Sequence, residues 1–139
     1  MSAEQFRTGY MDNAVFDLAS VLREAVTNLT PVKGEFDTLV GTGFSGGIIV
    51  PALALRLRKK FVLIRKENDD SHHSGRVLGE LGERWIFVDD FVSSGNTRLR
   101  VIEKISEAAS RTLHKTTLVG NYYYGAHIEF KYTRVTEEF

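Results

Sequence analysis

Apolar and polar positions alternate along the chain in two different periods. Val15, Leu18, Ala19, Leu22, Val26 and Leu29 recur every three or four residues, which is one stripe of a helix. The spacing predicts a helix over 13–29, capped by Asp12 or Asn13 and ended by Pro31 and Gly34, which turn the chain. FDTLVG (36–41) then reads as a strand, and GGIIVPALALRLRKK (46–60) as a helix with Pro51 in or near its first turn, where a missing N–H costs least. FVLIRK (61–66) is a strand whose first four residues are all apolar. ENDDSHHSG (67–75) has no apolar residue and reads as a solvated loop, and RVLGELGERW (76–85), with two glycines, as a short hairpin or turn. WIFVDD (85–90) is a strand, FVSSGNT (91–97) a loop, and RLRVIEKISEAAS (98–110) a helix with Leu99, Ile102, Ile105 and Ala109 on one side. TTLVGNYYY (116–124) is a further strand, and IEFKYTRV (128–135) alternates as a half-exposed strand does.

Strands and helices therefore take turns, and several strands are apolar throughout. That pattern predicts an α/β fold, a mostly parallel sheet with helices on both faces. Such sheets bind ligands beyond the carboxyl ends of their strands, near a switch in strand order. The polar loops at 41–47 and 89–97 both follow strands, so one crevice can hold both.

Composition narrows the classes. A chain of 139 residues suits a single domain, with a core at about 13–124 and small flanking elements at 1–12 and 125–139. It contains no cysteine, which excludes disulfides and thiolate chemistry. Lys plus Arg and Asp plus Glu number 18 each, and zero net charge argues against broad electrostatic capture of nucleic acid or a membrane surface. No apolar run approaches the ~20 residues that span a bilayer. MSAEQFRTGYMDN lacks a signal-peptide core, so a cytoplasmic protein is expected.

Two stretches carry candidate chemistry. In LVGTGFSGG, Gly41, Gly43 and Gly46 fit G-x-G-x-x-G after a short apolar run. The glycines can serve a dinucleotide, a different phosphate, or only the close packing of a strand–helix turn. A dinucleotide domain also wants an acidic residue at the end of its second strand, where this chain has Arg65 and Lys66. A P-loop is excluded, because Gly47 and Ile48 stand where its lysine and hydroxyl are needed.

WIFVDDFVSSGNT is more specific. An apolar strand delivers Asp89 and Asp90 to the sheet edge, and two adjacent carboxylates there need hydroxyl, cationic or basic partners. Ser93, Ser94, Gly95, Asn96 and Thr97 follow and open a helix, a composition that cradles a phosphate. Diol-seeking carboxylates beside a phosphate cradle suit a ribose 5-phosphate.

This run resembles the phosphoribosyl pyrophosphate (PRPP) motif of the type I phosphoribosyltransferases. That family has an apolar strand, two acidic residues, an aliphatic pair and a Thr/Ser-Thr/Ser-Gly-x-Thr loop. The corresponding positions are Trp85–Val88, Asp89–Asp90, Phe91–Val92 and Ser93, Ser94, Gly95, Asn96 and Thr97. Upstream, LVGTGFSGGIIVPALALRLRKKFVLIRKENDDSHHSG is similar to the family's pyrophosphate loop, the helix after it, and a strand ending in Arg-Lys before a mobile lid. The resemblance covers roughly residues 36–110.

It implies a type I phosphoribosyltransferase-like core with a minimal hood, and transfer of phosphoribosyl from magnesium PRPP to a nitrogen of a nucleobase-like acceptor, with release of pyrophosphate. Asp89 and Asp90 would take the ribose hydroxyls and, through water, Mg2+. Phe91 to Thr97 would take the 5′-phosphate, and Thr42, Gly43, Phe44, Ser45 and Gly46 the pyrophosphate. Arg65 and Lys66 either neutralise pyrophosphate, within one subunit or across a homodimer, or are a solvated strand end. His72 and His73 either supply lid charge and a general acid or are simply solvated; the further lysine that relatives carry in this loop is missing here. The rings of NYYYGAHIEFKY either stack on a base or bury the faces of an edge strand. A non-catalytic PRPP- or nucleotide-binding regulator of the same fold is the alternative, and an NAD(P)-binding domain a remote one.

Overall fold

The computed structural model describes residues 17–65, 77–90, 95–125 and 132–137. The elements are α1 (Leu18–Leu29), a 3-10 helix (Thr30–Glu35), β1 (Thr38–Thr42), α2 (Gly43–Leu57), β2 (Lys60–Ile64), β3 (Val77–Gly79), β4 (Arg84–Asp89), α3 (Asn96–Arg111), β5 (Thr117–Tyr123), β6 (Tyr132–Arg134) and a terminal 3-10 turn (Val135–Glu137). They form one six-stranded sheet in the order β3-β2-β1-β4-β5-β6. The four central strands are parallel, while β3 and β6 run antiparallel at the edges. The α/β fold and the mostly parallel sheet thus stand as the hydrophobic pattern predicts.

Side chains of a strand alternate between faces, and here the alternation separates two cores. Leu39, Ile86, Val88 and Tyr122 pack with Leu22, Ala25 and Leu29 of α1 and Ile49, Val50 and Leu53 of α2. Val40, Val62, Ile64, Trp85 and Phe87 point the other way, against Val101 and Ile105 of α3. Helices accordingly cover both faces. Phe44, Ile48 and Leu55 share the outer side of α2 and remain exposed.

Three local expectations change. Asp17, extended at φ −104° and ψ 100°, is the cap of α1, its side chain accepting from the amides of Ala19 and Ser20; Asp12 and Asn13 lie outside the described residues. Residues 30–35, expected as a turn, wind into a 3-10 helix with Pro31 at its start. Pro51 sits at the ninth position of α2 rather than in the first turn, because the helix begins at Gly43. The amide it lacks would have met the carbonyl of Gly47, an exposed residue whose carbonyl can turn to water.

Candidate functional site

The strand order switches direction between β1 and β4, which are parallel neighbours with Leu39 opposite Ile86 and Val40 opposite Phe87. Thr42 and Asp89 each lie two residues past that last pair. The turn into α2 and the Asp89–Asp90 pair therefore leave the sheet side by side at its carboxyl edge, where open α/β sheets bind ligands.

The turn into α2 is made by one residue. Gly43 takes φ 68°, a region that L side chains avoid, and the helix starts at once. The loop expected over 41–47 is instead the last two residues of β1 and the first turn of α2, and this divides the predicted pyrophosphate residues by role. Thr42 is buried, and its hydroxyl donates to the carbonyl of Ile64 at 2.6 Å, which ties β1 to β2. Gly46 packs on Gly41: a Cβ on Gly46 would lie 2.8 Å from the Gly41 backbone, and one on Gly41 would lie 2.8 Å from Val50 and 2.9 Å from Gly46. These two glycines serve the close approach of strand and helix. What the turn offers an anion is the amides of Gly43, Phe44 and Ser45, since first-turn amides make no i→i−4 bond. Their N-cap residue, Thr42, makes no side-chain cap bond to them.

Asp89 and Asp90 are half-buried, and the Asp90 amide donates to Asp89 Oδ1 at 2.9 Å. Gly95, at φ 85°, is the N-cap of α3 and, having no side chain, supplies no cap bond of its own. Asn96 and Thr97, expected in the loop, form its first turn. Arg65 follows β2 at the same edge and is exposed. Phe91, Val92, Ser93, Ser94, Lys66, His72 and His73 lie outside the described residues.

Two residues at this edge escaped the sequence reading. Arg98, in the first turn of α3, donates through Nε to Oδ1 of buried Asn121 at 2.8 Å. Tyr124 donates its amide to the Asp89 carbonyl at 3.1 Å and its phenol to the Ser45 carbonyl at 2.8 Å. The aromatic run that contains Tyr124 was a signal, but the sequence did not say which ring would reach the glycine turn.

The carboxyl pair also bears on magnesium. Among the described residues no three His, Cys, Asp or Glu side chains gather as a metal site. Two adjacent carboxylates suit an ion that arrives on a diphosphate and keeps its waters better than a resident one. A groove of about 840 Å³ lies elsewhere, between the last turns of α3 and residues 77–81, lined by Lys104, Glu107, Arg111 and His114.

The amino edge of the sheet is built differently. The Asp37 carboxylate accepts from the Thr38 hydroxyl at 2.7 Å, from the Glu83 amide at 3.1 Å and from the Arg84 amide at 3.2 Å. The Gly82 amide donates to Thr38 Oγ1 at 2.9 Å, and a Cβ on Gly82 would lie 2.2 Å from Asp37 Oδ1. Burial alone would raise the Asp37 carboxyl, but the donors from Thr38, Arg84 and Glu83 outweigh it and hold the group below its ordinary value.

No protein-family model matches the chain. It is 31% identical over 78 residues to orotate phosphoribosyltransferase of Archaeoglobus fulgidus, covering 55% of this chain and 44% of that protein. It is 34% identical over 94 residues to adenine phosphoribosyltransferase of Bifidobacterium longum subsp. infantis, covering 55% and 49%. It is 28% identical over 95 residues to Transcriptional regulator GfcR 2 of Methanosarcina acetivorans, covering 63% and 47%. The chain spans about half the length of these curated relatives. The solved structure of orotate phosphoribosyltransferase from Aeropyrum pernix shares the fold at a TM-score of 0.52 and 21% identity, covering 78% of this chain and 61% of that one. Strand order, carboxyl pair, glycine turn and relatives converge on a fold of the type I phosphoribosyltransferase kind, which this chain resembles over its central sheet.

Proposed function

We propose that the chain binds PRPP at the carboxyl edge of β1 and β4 and transfers its phosphoribosyl group to a ring nitrogen of a nucleobase-like acceptor. The observation that carries this reading is the adjacency of two differently equipped strand ends: one opens a helix through glycine, and the other presents two carboxylates. Asp89 and Asp90 accept the hydrogen bonds of the ribose 2′- and 3′-hydroxyls. The first-turn amides of α2 take the diphosphate, and Gly95, Asn96 and Thr97, with Phe91 to Ser94 before them, take the 5′-phosphate. Asp89 and Asp90 would hold, through water, the magnesium carried by PRPP, which would neutralise diphosphate charge. The bond from the acceptor nitrogen to C1 forms as the bond from C1 to the diphosphate oxygen breaks. The electron pair leaves with pyrophosphate, whose growing charge is met by preorganised amides. The proton on the acceptor nitrogen passes to solvent.

The match to GfcR 2 favours a second reading, a regulator that binds PRPP or a nucleotide without turning it over. One experiment separates the two. The protein is incubated with magnesium, PRPP and a panel of purine and pyrimidine bases, and pyrophosphate release and PRPP binding are both measured. Release with any base supports the transferase; saturable binding without release supports the regulator. The double substitution Asp89→Asn, Asp90→Asn is expected to weaken PRPP binding by about 100-fold or more, the scale of losing charged acceptors from two hydroxyls. Unchanged affinity in that variant refutes the site assignment. Binding of NAD(P) without any response to PRPP refutes both readings.

A further inference from the structure

We infer that Tyr124 is a positioning residue that holds the two halves of the split phosphate site in register; the inference rests on reading this edge as a PRPP site. Tyr124 directly follows β5 and is 9% exposed. Its amide reaches the carbonyl of Asp89, at the end of β4. Its phenol reaches the carbonyl of Ser45, in the first turn of α2. A single side chain with its own backbone thus joins the carboxylate strand to the diphosphate turn, away from bulk water, where a hydrogen bond gains strength.

The turn has a specific need for such a restraint. Gly43, Gly46 and Gly47 lower the cost of distorting it, and its N-cap supplies no side-chain bond. A backbone carbonyl has two lone pairs, so Ser45 can serve the helix ladder with one and Tyr124 with the other. The Ser45–Gly46 peptide is planar, so a pinned Ser45 carbonyl fixes that plane and, through the helical backbone before it, restrains the amides of Gly43, Phe44 and Ser45. One PRPP molecule must meet those amides and the Asp89–Asp90 carboxylates at a fixed separation. Small misplacement of either half is costly to a ligand that spans both.

A ligand that touches one half only should be indifferent to this register. The test compares wild type, Tyr124→Phe and Tyr122→Phe by calorimetry with three probes: magnesium PRPP, pyrophosphate and ribose 5-phosphate. Tyr122 is the control, since its hydroxyl accepts from Asn28 Nδ2 at 3.1 Å against α1, and its replacement removes a tyrosine hydroxyl away from the edge. Tyr124→Phe is expected to weaken PRPP about tenfold, the scale of one lost shielded hydrogen bond, while pyrophosphate and ribose 5-phosphate each change by less than about twofold. Tyr122→Phe is expected to lower the unfolding midpoint without changing PRPP affinity. Equal weakening of all three probes in Tyr124→Phe, or PRPP affinity as in wild type, overturns the inference alone. Wild-type protein that binds none of the probes overturns the reading of the edge, and this inference with it.

Discussion

At the amino edge of the sheet, side chains meet the backbone donors: Asp37 takes the amides of Glu83 and Arg84, and Thr38 takes that of Gly82. At the carboxyl edge, the N-cap residues of α2 and α3, Thr42 and Gly95, make no side-chain cap bond. The molecule knows how to cap a helix, as Asp17 does for α1 with bonds of 3.1 and 3.4 Å. Capping by Asp, Ser or Thr is worth about 1 kcal/mol per helix, so N-caps such as Thr42 and Gly95, which make no such bond, forgo stability where an anion could supply it. Side-chain bonds to backbone are concentrated at one end, and the proposed ligand site lies at the other.

The largest effect that tests this contrast falls on the amino edge. Asp37→Ala removes a carboxylate from two backbone amides and a hydroxyl, and is expected to cost about 3 kcal/mol in urea unfolding with PRPP affinity unchanged. Its pH signature follows from the lowered folded pKa. The carboxylate contributes fully above the unfolded carboxyl range and loses its contribution as pH falls through the folded value. Wild type should therefore lose stability on acidification more steeply than Asp37→Asn. A drop in PRPP affinity in either variant would break the division between the edges.

Gly46→Ala comes next, and it should blur the division. The new Cβ meets the Gly41 backbone at 2.8 Å and pushes α2 off β1. About 2 kcal/mol of stability should be lost, together with PRPP affinity, because this contact supports both the core and the turn. Loss of stability alone would show that the amides proposed to hold the diphosphate tolerate a shifted helix.

The smallest effect concerns β6. Arg134 grips Glu35 through two bonds, at 2.9 and 2.7 Å, and this bond from Arg134 holds the Glu35 carboxyl below its ordinary value. Both groups are solvent-accessible, so Glu35→Gln should cost only about 0.5 kcal/mol in the same unfolding measurement. A larger loss would make the Glu35–Arg134 pair part of the stable end.

β1 and β4 were legible because their apolar runs are buried on both faces. The strand read at 85–90 and β4 at Arg84–Asp89 differ by one residue at each end. The start of α2 was not legible. Glycine is a poor helix former, so GTGFSGG reads as a loop, yet packing on β1 makes Gly43 to Gly46 helical. β3 was missed as a strand because three residues carry no period of their own, and only its pairing with the preceding strand β2 defines it. At the site, the carboxylates and the glycine turn were readable as motifs. That Gly41 and Gly46 serve packing, that Thr42 is committed to Ile64, and that Tyr124 reaches Ser45 depends on distances that only the assembled sheet sets.

The end of β3 bears on how copies of this chain behave in concentrated solution. Gly79 takes φ 121°, and a Cβ there would lie 2.1 Å from the carbonyl oxygen of Phe61. The next amide, that of Glu80, bonds the same carbonyl at 3.0 Å, and the Glu80 side chain pairs with Lys60 at 3.3 Å. The strand is thus turned back onto its neighbour and flanked by charge as it ends. Bent, charged ends are what keep exposed strand edges from templating aggregation, so at Gly79 the backbone geometry that finishes the sheet also deters a second chain from extending it.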